Sequence, residues 1–353
     1  MRTGWPAPWR SPTSSVATAP PAFAAARSSQ SRRAACGVCI AHRPARSTVS
    51  PNRGPAPPRR SVSATGTAAA AAPPARRDGP AGSSHRFALG EATVTVIRDA
   101  GFPLPAAAVG TNVAPGAVAA LLDGYGLPTE TVPTDVSVVV VDAGGVRTLV
   151  DTGTGRGDLV PTMTALGMGP GTVDRVVVSH FHGDHVGGVS ADGAPAFPNA
   201  SVHFPAPELA FLDGYDGTPE GAADAVAAAV AALAPVRNRL ETYGDGDELA
   251  PGLRAVAAHG HTPGHMAFTL ASGDARMTIA SDAVPHPVVF FRHPEWLFRF
   301  DMDPEPTVAA RRRLLDRAAD ERAPFFASHL PFPGVGRVSR DGGGFRFTPT
   351  PVL

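Results

Sequence analysis

The sequence predicts an α/β fold, an αββα sandwich in which two mixed β-sheets pack face to face and helices flank them. Strand-like segments come in two runs along the chain, and helical sequence follows each run. A chain of 353 residues with 43% hydrophobic content can bury a large core. Residue types that bind metals stand at the ends of several predicted strands. These three observations predict a layered fold with a site at the strand ends.

The first run of strands begins near residue 85. Its first segment alternates apolar and polar side chains, as a half-buried strand does. Gly144 and Gly145 favour the positive φ angles of a tight turn, so the segments on either side of them are predicted to form a hairpin. The predicted strands of this run are residues 92–98, 134–141, 146–150, 175–179 and 200–204.

The second run of strands follows an alanine-rich segment, residues 218–243, which is predicted to be mostly helical although Pro235 interrupts it. Residues 307–322 are predicted to form another helix, with Pro306 near its start and charge on one face. The predicted strands of the second run are residues 253–258, 266–270, 277–281 and 325–328.

The N-terminal segment differs in charge from the rest of the chain. Residues 1–77 contain twelve arginines and no acidic residue, which leaves 19 arginines against all 31 acidic residues in the remainder. Residues 1–84 lack a periodic apolar pattern and are predicted to be disordered, with one folded domain over residues 85–353. The segment fits an export signal, a transit peptide or a start codon placed too early, so the cellular location stays open. Cys36 and Cys39 are interpreted as incidental thiols there.

Composition also limits the classes of partner. No stretch of about 18 apolar residues exists, so no membrane span is predicted. The acidic balance of the folded part would repel phosphate backbones, which argues against a nucleic-acid partner. A small-molecule substrate is the expected partner, and a homodimer is left open.

The run His180-Phe181-His182-Gly183-Asp184-His185 places four metal-binding side chains within six residues, just after a short apolar strand. Three imidazoles and one carboxylate suit zinc, and they tolerate manganese, iron or cobalt. A loop at the end of a strand is held by a rigid scaffold while one side stays open to substrate. The run therefore predicts a metal centre.

Further candidates stand at the ends of later strands. His259, His261 and His265 share one turn-forming sequence, Asp282 follows the predicted strand 277–281, and His329 follows the predicted strand 325–328. A single His or Asp at a strand end is more often a surface or capping residue. Together with the first run, the repeated placement predicts that His265, Asp282 and His329 are ligands.

The ordered motifs resemble the metallo-β-lactamase superfamily over about residues 90 to 350, since His180 to His185 matches its signature His-x-His-x-Asp-His. The other matching positions are Asp151, His265, Asp282 and His329. Within the superfamily, the chain resembles methyl parathion hydrolase and its relatives through residues 196–200, 259–265 and 329–336.

The resemblance implies the ligands of two divalent ions, with zinc expected. His180, His182 and His265 would hold one ion, Asp184, His185 and His329 would hold the second, and Asp282 would bridge the two. A water between two such ions ionises near neutral pH and serves as the nucleophile. Asp282 and Asp184 are the expected catalytic residues, the latter through proton transfer to the leaving group. His259 and His261 are expected only to orient the loop or to hydrogen-bond the ligands.

The expected reaction is hydrolysis of ester, lactone or phosphotriester bonds. Residues 152–158 lack the aromatic side chains of methyl parathion hydrolase relatives, so a wall of the substrate pocket differs. A β-lactamase, a glutathione-thioester hydrolase and a mononuclear iron enzyme that uses oxygen are the alternatives on the same scaffold. Trp296 and the aromatic residues before it are candidates for an apolar wall, with core packing as the alternative.

Overall fold

The structure, a computed structural model, describes residues 82–350. Residues 1–84, which the sequence predicts to be disordered, lie outside the described residues except for residues 82–84. Cys36 and Cys39 lie outside them as well. The helices are α1 Ala117–Gly124, α2 Leu159–Ala165, α3 Gly183–Val186, α4 Ala206–Gly214, α5 Ala223–Leu233, α6 Val289–Arg292 and α7 Pro304–Glu321.

Two seven-stranded sheets contain most of the strands. The strands are β1 Ser84–Leu89, β2 Ala92–Pro105, β3 Thr131–Ala143, β4 Val146–Val150, β5 Arg175–Val177, β6 Ser190–Ala191, β7 Ala194–Pro195, β8 Ser201–Pro205, β9 Leu240–Tyr243, β10 Glu248–Ala250, β11 Leu253–Ala257, β12 Met266–Ser272, β13 Ala275–Ile279, β14 Pro324–Phe326, β15 Val335–Asp341 and β16 Gly344–Pro349. The first sheet has the order β1-β2-β3-β4-β5-β8-β9, the second runs in sequence from β10 to β16, and β6 and β7 form a separate small pair.

Both large sheets are mixed, as the sequence predicted. In the first sheet the pairs from β1 to β4 are antiparallel and those from β4 to β9 are parallel. In the second sheet only β13 and β14 run parallel. The carboxyl ends of parallel strands meet at one edge of a sheet, and this is where a site forms in many α/β proteins.

Three apolar clusters hold the layers together. The central cluster joins Val139 of the first sheet to Phe268 of the second. One outer cluster packs α2, α4 and α5 on the first sheet, and the other packs α1, α6 and α7 on the second. Strand β3 contributes Val138 to an outer cluster and Val139 to the central one, which explains its near-continuous apolar sequence. The αββα prediction is confirmed.

The predicted hairpin is confirmed, since β3 pairs antiparallel with β4 and Gly144 and Gly145 have φ angles of 57° and 79°. The predicted helix over 218–243 is partly wrong. Pro235 follows the end of α5, and residues 240–243 pair in parallel with β8 as an edge strand. Proline lacks an amide hydrogen and so ends the α-helical ladder. Within residues 82–350, no helix combines the length and the apolarity that crossing a bilayer requires.

Candidate metal centre

The predicted ligands come from strand ends that meet at one edge of the two sheets. The run from His180 to His185 follows β5, and Asp151 follows the neighbouring parallel strand β4. On the other sheet, Asp282 follows β13 and His329 follows its parallel partner β14. Each parallel pair thus delivers polar side chains at its carboxyl end.

The first group of donor atoms comprises His180, His182, His261 and Asp282. His182 Nδ1 lies 3.1 Å from His180 Nε2 and 3.1 Å from His261 Nε2. Asp282 Oδ2 lies 3.4 Å from His261 Nε2 and 3.8 Å from His180 Nε2. Two donors that share a tetrahedral zinc ion stand about 3.3 Å apart, so these spacings suit one such ion.

The second group comprises Asp184, His185 and His329. Asp184 Oδ2 lies 3.3 Å from His329 Nε2 and 3.8 Å from His185 Nε2. Asp282 reaches this group as well, because its Oδ1 lies 3.1 Å from His185 Nε2 and its Oδ2 lies 3.0 Å from His329 Nε2. The Asp282 carboxylate therefore stands between the two groups.

Hydrogen bonds fix the outer nitrogens of four imidazoles. His185 Nδ1 donates to Asp151 Oδ2 at 2.8 Å, and His329 Nδ1 donates to the Asp135 carbonyl at 2.9 Å. His265 Nδ1 donates to the Ala258 carbonyl at 2.9 Å, and His261 Nδ1 donates to an Asp301 carboxylate oxygen at 3.0 Å. Such bonds select the tautomer whose Nε2 carries no proton and can therefore bind a metal.

Two residues beside the donors adopt left-handed backbone conformations. Asp151 has a φ of 64° and Ser281, which precedes Asp282, has a φ of 47°. For residues with a side chain this conformation costs roughly 1–2 kcal/mol each. Asp151 is held there by Ser179, whose amide donates to Oδ1 at 2.7 Å and whose hydroxyl donates to Oδ2 at 2.9 Å. Strain of this kind concentrates where structure must place a functional group.

The donor set fits two divalent cations. Among residues 82–350, His185 Nε2 and Asp282 Oδ1 are buried and make no hydrogen bond, although they lie only 3.1 Å apart. Buried polar atoms without partners are costly, and coordination to a shared cation satisfies both. Imidazole nitrogens and carboxylate oxygens are the zinc ligands found when no cysteine is present. The chain therefore carries two groups of ligands for two metal ions.

Burial and neighbouring charges set the protonation of the cluster. Burial lowers the pKa of His180 and His182 well below the usual value, and it lowers the pKa of His265 to about 3. Burial also opposes protonation of His185, but the carboxylates of Asp282, Asp184 and Asp151 together raise its pKa well above the usual value. The neutral imidazole, which these lowered pKa values favour for His180, His182 and His265, is the form that binds metal.

The structure brings six of the seven predicted ligands into the two donor groups. The seventh, His265, has its ring 5.0 Å from that of His180, and its Nε2 accepts the Asp282 amide at 3.3 Å. His261, expected only to orient the loop, instead has its Nε2 among the donors of the first group. The assignment of His265 to the first ion therefore stays a prediction.

Two supporting residues were missed by the sequence analysis. Asp301 holds His261 and accepts a further bond from buried Arg311 at 3.2 Å. Glu208 is completely buried and hydrogen-bonds Phe181 inside the first run. Neither stands at a strand end, and each reaches the centre only through the fold.

Aromatic rings flank the donors at two ends. The Phe300 ring lies 6.4 Å from His182, and the Phe102 ring lies 6.5 Å from His329. Both rings are partly buried. The aromatic segment singled out in the sequence serves mainly packing, since Phe290 is fully buried and Trp296 stacks on His293 at 4.1 Å.

Comparisons with known proteins extend these findings. Residues 131–329, more than half of the chain, match the family described as the Metallo-beta-lactamase superfamily. The structure is similar to that of AidC, a dizinc quorum-quenching lactonase in complex with a product, with 25% identity and a TM-score of 0.72 over 76% of this chain and 98% of that one. It is similar to hydrolase AbOPH in the same way, with 26% identity and a TM-score of 0.72 over 77% and 98% of the two chains.

A curated relative matches over a shorter region. The hydroxyacylglutathione hydrolase of Pseudomonas entomophila (strain L48) is 43% identical over 63 residues. This region makes up 16% of the present chain and 24% of the relative. The match therefore covers about a quarter of that protein.

Proposed function

The chain belongs to the metallo-beta-lactamase superfamily as a metal-dependent hydrolase, and from this we propose that it cleaves ester, lactone or phosphotriester bonds of small molecules with two zinc ions. The observation that carries the proposal is the position of Asp282, whose oxygens lie 3.0 and 3.1 Å from the nitrogens of His329 and His185 while Oδ2 also lies 3.4 Å from His261. One carboxylate that serves both donor groups is what a two-metal site requires, because it offsets the repulsion between the cations.

The proposed ligand set is that of the sequence analysis. His180, His182 and His265 would hold the first ion, Asp184, His185 and His329 would hold the second, and Asp282 would be shared. When bound, such a pair of ions supplies a water nucleophile at neutral pH and polarises the oxygen of the substrate. No serine or cysteine nucleophile is then needed.

Asp184 has the second proposed catalytic role. Its side chain is 21% exposed, whereas those of His185 and Asp282 are 1% and 3% exposed. Its carboxylate can therefore reach a substrate while still lying 3.3 Å from His329 Nε2. We assign it a proton relay, in which the carboxylate would accept the proton that the attacking water releases and pass it to the departing oxygen, because a leaving alkoxide is too basic to depart unprotonated.

The proposed substrates rest on two observations. The similar structures AidC and AbOPH are named as a lactonase and a hydrolase, and the chain spans 98% of each. Phe102 and Phe300 place apolar surface at opposite ends of the donor cluster, which fits an acyl or aryl group beside the bond to be cleaved. The likeness to methyl parathion hydrolase that the sequence motifs indicate is part of this proposal. Assembly of the chain into a homodimer is also proposed.

A thioester hydrolase acting on glutathione conjugates is the second candidate. The 63-residue match to a hydroxyacylglutathione hydrolase favours it. Glutathione is an anionic peptide that needs cationic side chains, and the sequence shows no cluster of basic residues near the ligand motifs. We therefore rank thioester hydrolysis below the hydrolysis of esters and lactones.

The test is a substrate panel applied to the full-length protein with zinc. The panel contains p-nitrophenyl acetate, N-hexanoyl-homoserine lactone, methyl parathion, S-lactoylglutathione and nitrocefin. We expect the highest kcat/KM on the lactone or the aryl ester. Turnover of only nitrocefin or only S-lactoylglutathione would show that the proposed substrate class is wrong.

A further inference from the structure

Glu208 is a buried carboxylate that belongs to neither donor group. It lies in the first turn of α4 and is 0% exposed. Among residues 82–350, no arginine or histidine forms an ion pair with it. Burying a carboxylate without a cation costs several kcal/mol, so its position needs a reason other than packing.

Its two oxygens accept main-chain amides from two different loops. Oε2 accepts the N–H of Phe181 at 2.9 Å, and Oε1 accepts the N–H of Gly264. Phe181 stands between His180 and His182, while Gly264 directly precedes His265. Glu208 thus joins the two loops whose imidazoles face the first ion.

The packing of α4 against the second loop gives independent support. A Cβ atom added at Gly264 would stand 2.5 Å from the amide nitrogen of Glu208 and 2.8 Å from Pro207 Cβ. Only glycine permits this approach. The loop therefore packs directly against the start of α4, close enough for the Gly264 amide to hydrogen-bond Glu208.

Both main-chain partners of Glu208 are donors, so the bridge needs an acceptor at each end. A carboxylate supplies two acceptor oxygens, whereas a glutamine supplies one and turns its amide group toward the other N–H. The bridge therefore depends on the carboxylate itself and not on the shape of the side chain.

We propose that Glu208 is a positioning residue that clamps the His180–His182 loop to the loop that ends at His265, and so sets the affinity of the first metal site. The inference rests on the two-metal centre of the proposed function. Removing a residue that orients a metal ligand typically lowers the affinity for the metal about 10–100-fold.

The test measures each site separately in the full-length protein. Glu208→Gln is combined with His329→Ala, which leaves the first site, and with His180→Ala, which leaves the second. Binding of Co²⁺ is followed by its visible absorption in competition with a chelator. We expect Glu208→Gln to weaken Co²⁺ binding about 10–100-fold in the His329→Ala background and less than about threefold in the His180→Ala background.

Asp99→Asn is the matched control. Asp99 is also buried and also accepts two main-chain amides, those of Thr154 at 2.8 Å and Leu159 at 3.0 Å. Its replacement should lower the thermal midpoint by a similar amount and leave the ratio of the two site affinities unchanged.

Equal weakening at both sites, or no weakening at either, would overturn the proposal, because the clamp predicts selective loss. If Glu208→Gln does not fold, Gly264→Ala tests the same contact by pushing the loop off α4, and selective loss is again expected. If the single variants His329→Ala and His180→Ala bind no Co²⁺ at all, the two-metal function fails first and the clamp fails with it.

Discussion

The two halves of the metal centre are held by different parts of the fold. In the second half, His185 is oriented by Asp151 at the end of β4, and His329 by the carbonyl of Asp135 within β3. In the first half, His261 is oriented by Asp301 in the segment before α7, and the His265 loop is tied down by Glu208 on α4. One half is anchored on a sheet, and the other on a loop and the start of a helix.

This difference shows where the site tolerates change. A sheet fixes its anchors through ladders of main-chain hydrogen bonds, whereas a loop depends on a few side-chain bonds that one substitution removes. The first half also offers more imidazoles than one ion needs, since His261 and His265 both approach it. We expect the second half to be robust and the first half to be adjustable.

The largest effect is expected for Asp282→Asn, which removes the carboxylate that both halves share. Losing one negative charge between two cations forfeits several kcal/mol of stabilisation, so kcat should fall about a thousandfold. Metal analysis should show one ion bound in place of two. Unchanged turnover with two ions bound would mean that Asp282 does not bridge the halves.

The next largest effect distinguishes the role of His265 from that of His261. His265→Ala removes a predicted ligand, and we expect the first-site affinity for Co²⁺ to fall more than about a hundredfold. His261→Ala removes a residue assigned to orienting the site, and the expected loss is about tenfold. The reverse order would assign the ligand role to His261.

A smaller effect is expected for the two carboxylates behind the ligands. Asp151→Asn should weaken the second site about 10–100-fold, because His185 loses the partner of its Nδ1–H. Asp301→Asn should weaken only the first site, through His261. Competition with a chelator, run in variants that retain a single site, checks both. If each substitution weakened both sites equally, the halves would not be held separately.

The smallest effect at neutral pH concerns His286, which lies outside both halves. Its Nδ1 accepts the amides of Val288 and Val289, and burial lowers its pKa from 6.5 to about 4. Between these two pKa values the unfolded chain binds a proton at His286 that the folded chain excludes. The contribution of neutral His286 to the free energy of unfolding is therefore fully present above pH 6.5 and is lost as the pH falls toward 4. The contribution amounts to about 3 kcal/mol.

Urea unfolding of the metal-loaded protein from pH 7 to pH 4 checks this prediction. His286→Gln should flatten the pH dependence by about that amount. Equal slopes in the wild type and His286→Gln would contradict it. The difference between the wild type and His286→Gln therefore separates acid destabilisation of the fold from acid release of the metal.

Much of the second half could be predicted from the sequence. Asp184 and His185 are neighbours in one run, and His329 repeats the placement of a polar residue after an apolar strand. Local patterns of this kind are visible without a structure. The layered fold was equally accessible, because strands buried on both faces, such as β3, read as continuous apolar sequence.

The supports of the first half could not be predicted. Glu208 sits in an ordinary helical sequence and contacts Phe181 and Gly264, which lie 27 and 56 positions away. Asp301 is 40 positions from His261. The edge strand β9 was missed for the same reason, since its pairing with β8 overrides a helix-favouring composition nearby. Such contacts depend on the tertiary fold and have no local signal.

The most direct test of the central claim is the metal content of the purified full-length protein, measured together with hydrolysis of the best substrate before and after treatment with a chelator. We predict about two equivalents of zinc per chain, a fall in kcat/KM of more than about a hundredfold on stripping, and recovery when zinc is restored. Full activity in the stripped protein, or a single equivalent of metal in the fully active one, would contradict a two-metal centre.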